Sequence, residues 1–241
     1  MKDISFIAKT PIAHRGYHND KFPENSIAAF KNAIKYGYTI ELDVHLTKDN
    51  KLVVFHDNSL KRVCGYNKSV EDFTYEELTK FNLFDTKYKI PLLEEVLELV
   101  NGKVGLLIET KVIKFDGKLE NELSKLLDSY KGAFAIQSFN VFSINWFKKN
   151  RNNYIRGLLI SDFVIKNKGN LKRLIGKILL ADIYLKTNFI SYDIRSLPNL
   201  FVKAKRKKKL VLSWNIKNKN DYDKAILYSD NIIGENMENY I

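Results

Sequence analysis

Short apolar runs recur along the chain, separated mainly by segments whose apolar residues have helical spacing. Short runs bounded by turn-forming residues are typical of buried strands. Three segments between them predict amphipathic helices, at residues 25–37, 91–102 and 119–132. Strands that alternate with helices indicate βα units and a parallel sheet. The predicted strands are residues 11–15, 39–46, 52–56, 104–110, 133–138, 155–160, 189–193, 209–215 and 231–235.

One junction breaks this alternation. Only residues 47–51 separate the run that ends at Leu46 from the run that begins at Leu52. That length is too short for a parallel crossover but suits a hairpin, so residues 52–56 are predicted to form an additional antiparallel strand. Eight βα strands remain, the number that closes a barrel. We therefore predict an α/β fold, a single (β/α)8 TIM-type barrel over residues 1–241, with residues 58–90 as a small insertion over its C-terminal mouth.

The predicted strand 39–46 has an unusual polar face. Glu41, Asp43 and His45 occupy alternate positions and therefore share one side of an extended strand. A half-exposed surface strand would show the same alternation. A barrel strand, however, must present apolar side chains outward to the helices, which Leu42 and Val44 do. We therefore expect the two carboxylates to point into the barrel.

Polar residues also end other predicted barrel strands. His14 and Arg15 end the first, and Glu109 and Lys111 end the one that follows the hairpin. In βα barrels the active site lies at these C-terminal ends. Carboxylates buried close together resist joint ionisation, and a divalent metal ion removes that cost. Oxygen ligands suit Mg²⁺ or Ca²⁺.

The remaining chemistry favours a phosphate-bearing substrate. Histidines near such a metal suit acid–base catalysis, since their pKa lies near neutrality. Arg15 and Lys111 add positive charge, which suits phosphate. Cys64 is the only cysteine, which excludes a zinc site built from thiolates and an intramolecular disulfide. Nucleophile-elbow, P-loop and dinucleotide-binding motifs are absent from the sequence. The pattern indicates phosphodiester hydrolysis more than acyl transfer or redox chemistry.

The chain is strongly basic, with a formal charge of +12. Such a balance favours anionic partners in general. The densest basic run, residues 203–209, is interpreted as a solvated helix face, and peripheral contact with anionic lipid remains an alternative. No nucleic-acid partner is expected, because no nucleic-acid module accompanies this run. No apolar run is long enough to span a membrane, and the first residues lack the apolar core of a signal peptide, so we expect a cytoplasmic location.

Several motifs, in this order along the chain, resemble those of the glycerophosphodiester phosphodiesterase family, whose members are (β/α)8 barrels. They are HRG (14–16), PEN (23–25), E-x-D (41–43), a hairpin that ends in HD (56–57) and E-x-K (109–111). Each motif is weak alone, but the combination is highly specific. The similar segments run across most of the chain, at residues 14–37, 40–57, 60–65, 90–97, 108–111, 137–140 and, more loosely, 212–218.

The resemblance implies a metal-dependent hydrolysis of glycerophosphodiesters to glycerol phosphate and an alcohol. It also implies a role for each of eight residues: His14 and His56 as the catalytic acid–base pair, Glu41, Asp43 and Glu109 as ligands of one Mg²⁺ or Ca²⁺ ion, and Arg15, Lys111 and Trp214 as substrate contacts. Glu24 and Asn25 match a motif that lines or supports the site. His18, His45 and Asp57 are expected to be structural.

Two alternatives remain open at this point. The chain could be a lysophospholipase D, which applies the same chemistry to a one-chain lipid, or a non-catalytic barrel that binds anionic lipid or nucleic acid. The sequence departs from the family pattern near its end. Trp214 is followed by Asn-Ile where Thr-Val is common, and IIGENME at residues 232–238 replaces a pattern closer to I-I-T-D-x-P. The sequence does not indicate an oligomeric state.

Overall fold

A computed structural model describes residues 3–162 and 180–241. Eight parallel strands form a closed sheet, because β1 pairs with β2 on one side and with β9 on the other. The predicted (β/α)8 barrel is therefore confirmed. The strands are β1 (Ile12–Ala13), β2 (Thr39–Leu46), β3 (Leu52–Val54), β4 (Leu106–Thr110), β5 (Phe134–Ser138), β6 (Ile155–Ile160), β7 (Phe189–Asp193), β8 (Leu210–Ile216) and β9 (Asn231–Gly234).

Helices between the strands cover the outside of the barrel. The second helix follows the predicted segment 25–37 but is shorter, because the Ser26 hydroxyl accepts the Ala29 N–H and so caps the start of the helix. Residues 180–185 are also helical. The other described helices are α1 (Ser5–Ala8), α2 (Ile27–Lys35), α3 (Lys61–Cys64), α4 (Tyr75–Leu78), α5 (Leu93–Val100), α6 (Lys118–Leu127), α7 (Val141–Asn150), α8 (Leu200–Arg206) and α9 (Lys219–Tyr228).

Among the described strands, the β2–β3 hairpin is the one antiparallel pairing, as the short junction predicted. Leu46 lies opposite Leu52, and the turn is closed by mutual hydrogen bonds between Thr47 and Lys51. The hairpin returns the chain to the mouth of the barrel at His56. His56, which follows β3, thus lies beside β2, the strand that carries Glu41 and Asp43.

The inside of the barrel is apolar at one end and polar at the other. In β4, Leu107 packs in the interior apolar cluster, and Glu109 follows it on the same face. In β5, Ala135 and Gln137 repeat this order. Ile7 of α1 belongs to the same apolar cluster, which lies below the strands' C-terminal ends. The polar side chains at the C-terminal ends of these inward-facing rows therefore meet at the mouth of the barrel.

Residues 58–90 contain α3, a short 3-10 turn at Val70–Asp72 and α4. Their buried side chains join Val53 and Phe55 in a separate apolar cluster. The rings of Tyr66, Phe73 and Phe81 contact one another at its edge. Phe73, Tyr75, Phe81 and Tyr88 therefore pack this segment, whereas Phe84 is exposed.

Part of the basic run at residues 203–209 is neutralised internally. Lys205 and Lys209 both contact the buried carboxylate of Asp182, at 2.7 and 2.6 Å. Arg206 pairs with Asp230 at 2.8 Å. Several positive charges of the run therefore stabilise the fold. Within residues 3–162 and 180–241, no helix combines the length and apolar character that crossing a membrane requires.

Gly157 leaves space for a large aromatic ring inside the barrel. A Cβ at this position would lie 2.3 Å from the Phe189 ring, which is fully buried in the paired strand. We expect Gly157→Ala to lower the free energy of unfolding by about 1–3 kcal/mol, because the ring has to move in a packed interior. Urea denaturation measures the change. The double variant Gly157→Ala/Phe189→Leu should lose less than the sum of its single changes, and an unaltered midpoint for Gly157→Ala would contradict the packing argument.

Candidate active site

Three buried carboxylates converge at the C-terminal mouth of the barrel. Glu41 and Asp43 point inward from β2, and Glu109 points inward from β4, where it pairs with Asp43 in the strand register. Their exposed fractions are 1%, 0% and 7%. One oxygen from each lies within 4.8 Å of the others. The alternation of polar and apolar residues in β2 thus directs Glu41 and Asp43 into the barrel, as expected from the sequence.

Two cations lie against this carboxylate cluster. The Lys111 ammonium lies 2.9 Å from Asp43 Oδ1 and 2.5 Å from Glu109 Oε1. The Arg15 guanidinium lies 3.7 Å from Asp43 Oδ2 and donates a hydrogen bond to Glu24 Oε1 at 2.7 Å. When all three carboxylates are ionised they outnumber the two cations, and Arg15 is shared with Glu24, so the cluster has room for further positive charge.

Burial and mutual repulsion change the ionisation of these carboxylates. Burial, with Asp43 and Glu109 nearby, holds the pKa of Glu41 well above its usual range. Burial also raises the pKa of Glu109 to about 7, although Lys111 opposes the change. Burial would raise the pKa of Asp43 too, but Lys111, His56 and Arg15 outweigh it and lower that pKa. Repulsion that the two cations do not cancel is what a divalent metal ion would relieve.

The donor set fits a hard divalent cation. All three converging groups offer oxygen, the ligand that Mg²⁺ and Ca²⁺ prefer. Two of the carboxylates are held in orientation by other groups. Asn25 Nδ2 donates to Asp43 Oδ2 at 2.8 Å, and the backbone N–H of Arg15 donates to Glu41 Oε2 at 2.9 Å. Such supporting hydrogen bonds commonly fix metal ligands in place.

His56 belongs to a chain of charged contacts that reaches the 58–90 segment. Its Nδ1 lies 2.6 Å from Asp57 Oδ1. Arg62 of α3 bonds both Asp57 oxygens, at 2.7 and 3.0 Å, and both Glu24 oxygens, at 3.0 and 2.7 Å. Arg62 outweighs the effect of burial and lowers the pKa of Asp57 to about 2. Asp57, expected to be structural, therefore orients the His56 ring.

His14 has a carboxylate partner from the other end of the chain. Its Nδ1 lies 2.7 Å from Oε1 of Glu235, the residue after β9. Asn215 Nδ2 donates to the same oxygen at 2.6 Å. Burial lowers the pKa of His14 to about 4, despite the opposing effect of Glu235. The neutral ring donates Nδ1–H to Glu235, which leaves Nε2 as the nitrogen that can exchange a proton.

The predicted site residues meet around one small pocket of about 110 Å³. Asp43 lies beneath it, fully buried, in contact with Lys111 and Arg15. Trp214 forms an aromatic wall and meets Phe139 edge to face, with ring centroids 5.6 Å apart. The predicted residues that line the pocket are His14, Arg15, Glu41, His56, Glu109, Lys111 and Trp214.

A wider groove of about 730 Å³ continues from the pocket, and His56, Glu109 and Lys111 line both. Its far wall is apolar and partly exposed, with Ile113 49% and Phe142 63% exposed. Phe139 borders pocket and groove alike. The pocket that holds the polar residues is therefore open to an apolar surface on one side.

Two contacts of this site were not predicted from the sequence. Glu235 and Asn215 fall in the two segments that depart from the family pattern, and that departure was the available signal. His45 is fully buried, with Nε2 3.3 Å from the His56 carbonyl oxygen, which agrees with a structural role. His18 lies closer than expected, with Nε2 3.9 Å from Glu235 Oε1.

Comparisons with known proteins agree with this geometry. A family model described as "Glycerophosphoryl diester phosphodiesterase family" matches residues 14–233. A glycerophosphodiester phosphodiesterase from Caldanaerobacter subterraneus is 41% identical over 150 residues, which cover 57% of this chain and 61% of that protein. The human lysophospholipase D GDPD1 is 40% identical over 110 residues, 40% of this chain and 34% of that protein. The matched part thus spans less than two thirds of either relative.

A solved structure shares the fold over nearly the whole chain. It is a phosphodiesterase from Oleispira antarctica in complex with the product sn-glycerol-3-phosphate. The TM-score is 0.79 at 20% identity, with 95% of this chain and 93% of that chain covered. At this identity the likeness concerns the fold.

The carboxylate cluster predicts a metal-dependent stability. In EDTA near neutral pH, Glu41→Gln should unfold at the same temperature as the wild type or higher, because the amide removes repulsion and still accepts the Arg15 N–H. Added Mg²⁺ or Ca²⁺ should raise the wild-type unfolding temperature but not that of the variant. Thermal unfolding followed by circular dichroism measures both effects. Equal stabilisation of the two proteins by metal would contradict a metal site at Glu41.

Proposed function

Because the chain belongs to the glycerophosphoryl diester phosphodiesterase family, we propose that it hydrolyses a glycerophosphodiester to glycerol phosphate and an alcohol. One observation carries the proposal: three buried carboxylates, two histidine–carboxylate pairs and two cations meet at one end of the barrel. The sn-glycerol-3-phosphate in the similarly folded Oleispira phosphodiesterase supports glycerol phosphate as the product.

Glu41, Asp43 and Glu109 would hold one divalent ion, Mg²⁺ or Ca²⁺. When bound, such an ion polarises a phosphoryl oxygen and lowers the pKa of the attacking hydroxyl. Lys111 contacts two of the three carboxylates, so it neutralises part of their charge and lies close to any phosphate bound there. Arg15, on the other side of Asp43, adds a second positive charge. Both cations stabilise the charge that develops on the phosphate.

The two histidines carry the proton transfers in this proposal. Each has Nδ1 engaged by a carboxylate, Glu235 for His14 and Asp57 for His56. Each therefore presents Nε2 for exchange. One accepts the proton of the nucleophile, either water or the 2-hydroxyl of the glycerol moiety, and the other protonates the departing alcohol oxygen. Attack by the 2-hydroxyl forms a cyclic phosphate first, whereas attack by water does not. Trp214 forms the wall against which the substrate lies.

A hydrolysis panel tests the proposal. Glycerophosphocholine, glycerophosphoethanolamine and glycerophosphoglycerol are offered with EDTA, with Mg²⁺ and with Ca²⁺. We expect turnover only with metal, and a loss of kcat of about 10²–10⁴-fold in His14→Ala and in His56→Ala, because each removes a proton-transfer group. Glu235→Gln should lose less, because the amide oxygen still accepts the Nδ1–H.

The control is Lys203→Ala, in the exposed basic run of α8, which should keep wild-type kcat and KM. Equal unfolding temperatures across the variants would show that lost activity does not come from misfolding. Wild-type rates in both histidine variants would overturn their assignment, and activity that survives full chelation would overturn the metal requirement.

A second candidate substrate is a lysophospholipid, as the alternative of a lysophospholipase D implies. The apolar wall of the adjoining groove favours it, because Ile113, Phe139 and Phe142 offer a surface on which an acyl chain can lie. Phe142 also packs against Phe115, with ring centroids 5.9 Å apart. The similarity to the human lysophospholipase D GDPD1 agrees with this candidate.

The groove predicts that one variant loses activity on a substrate with an acyl chain and keeps it on a substrate without one. Ile113→Ser/Phe142→Ser should lower kcat/KM for lysophosphatidylcholine about 10-fold or more, since each removed apolar contact contributes roughly 1 kcal/mol or more. The same variant should hydrolyse glycerophosphocholine at the wild-type rate, because that substrate has no acyl chain. Steady-state kinetics on both substrates measure the effect, and equal losses on the two would contradict an acyl-chain groove.

A further inference from the structure

A second group of metal-ligating side chains lies beside the carboxylate cluster. His14 and His18 come from the loop after β1, and Glu235 comes from the end of β9. Within residues 3–162 and 180–241, this trio and the carboxylate cluster are the two groups whose ligand atoms converge within 4.8 Å. The proposed mechanism uses His14 and Glu235 but leaves His18 without a function.

The distances suit a small metal ion. His14 Nδ1 lies 2.7 Å from Glu235 Oε1, and His18 Nε2 lies 3.9 Å from the same oxygen. Zinc bonds of about 2.0–2.2 Å in a tetrahedral site place neighbouring ligand atoms roughly 3.3 Å apart. The two observed separations lie on either side of that value. Small movements of the three ligands would complete the site, together with a turn of the Asn215 amide, whose Nδ2 lies 2.6 Å from Glu235 Oε1 and 3.0 Å from His14 Nδ1.

His18 contributes an unused ligand atom. Its Nε2 is buried from solvent yet has no hydrogen-bond partner among the described residues. Buried polar atoms of this kind are rare in native structures and call for an explanation. His18 Nε2 faces Glu235 Oε1 at 3.9 Å, beyond direct hydrogen-bond range, and a cation bound between the two atoms would satisfy both.

The donor types differ from those of the carboxylate cluster. Two imidazole nitrogens and one carboxylate suit Zn²⁺ and related transition metals more than Mg²⁺ or Ca²⁺. Three protein ligands leave a fourth position for water. Lys217 lies 3.3 Å from Glu235 Oε2, but its side chain is 58% exposed and can turn into solvent. The positive charge there is not fixed.

We propose that His14, His18 and Glu235 form a second metal site that takes Zn²⁺ and inhibits the enzyme. Zinc at His14 would take the lone pair of Nδ1, so the single proton of the neutral ring would move through solvent from Nδ1 to Nε2. Nε2 would then carry a proton and could no longer accept one from a nucleophile. The inhibitory part rests on the proposed function, whereas the binding part does not.

Binding is tested on the full chain with the first site saturated by Mg²⁺. Equilibrium dialysis with Zn²⁺ gives the stoichiometry, and visible absorption of bound Co²⁺ reports nitrogen ligation. We expect one Zn²⁺ per chain. His18→Asn should weaken binding at least 10-fold, whereas Glu41→Gln, which alters only the carboxylate cluster, should bind Zn²⁺ like the wild type. Thermal unfolding confirms that both variants are folded.

Two binding outcomes would overturn the site. One is the absence of Zn²⁺ binding to the Mg²⁺-saturated wild type, and the other is binding that Glu41→Gln abolishes and His18→Asn leaves intact. In the activity arm, Zn²⁺ should inhibit the wild type at saturating Mg²⁺, and His18→Asn should keep the basal rate and require at least 10-fold more Zn²⁺. Zinc binding with the expected variant pattern in a protein without turnover would refute the proposed function and leave the site standing.

Discussion

The burial of three carboxylates within a few ångströms of one another is the constraint on which the rest of the site depends. Glu41, Asp43 and Glu109 lie on inward faces of neighbouring strands, where solvent cannot screen their charges. Lys111 and Arg15 offset part of the repulsion, and the raised pKa values of Glu41 and Glu109 show what is left. A fold that keeps these three carboxylates together favours the binding of a cation. Without the cation, their repulsion lowers the stability of the fold.

Much of this arrangement follows from local sequence pattern. The alternation in β2 places Glu41 and Asp43 inward, and the five-residue junction predicts the hairpin that returns His56 to the mouth. Eight βα strands then imply closure and bring Glu109 beside Asp43. These inferences needed only periodicity and loop length, which describe residues that are close together in the sequence. Single-domain organisation and a cytoplasmic location stay predictions from the sequence.

The contacts of Glu235 and Asn215 could not be predicted in the same way. Glu235 and His14 are 221 residues apart, and their meeting depends on the pairing of β1 with β9. A local sequence pattern carries no information about a contact between residues so far apart in the chain. The contacts of Asp57 could not be predicted for another reason: they depend on Arg62, whose bonds to Asp57 and Glu24 require the fold of the 58–90 segment. The carboxylate partner of His56 is therefore the next residue in the chain, whereas that of His14 lies 221 residues away.

Closure of the barrel between its first and last strands has a consequence for protein synthesis. The loop after β1 emerges from the ribosome well before β9. Until β9 pairs with β1, His14 lacks the carboxylate that orients it, although Glu41, Asp43 and Glu109 are already in the chain. The site is thus completed late, because the carboxylate that orients His14 follows Glu41, Asp43 and Glu109 in the chain.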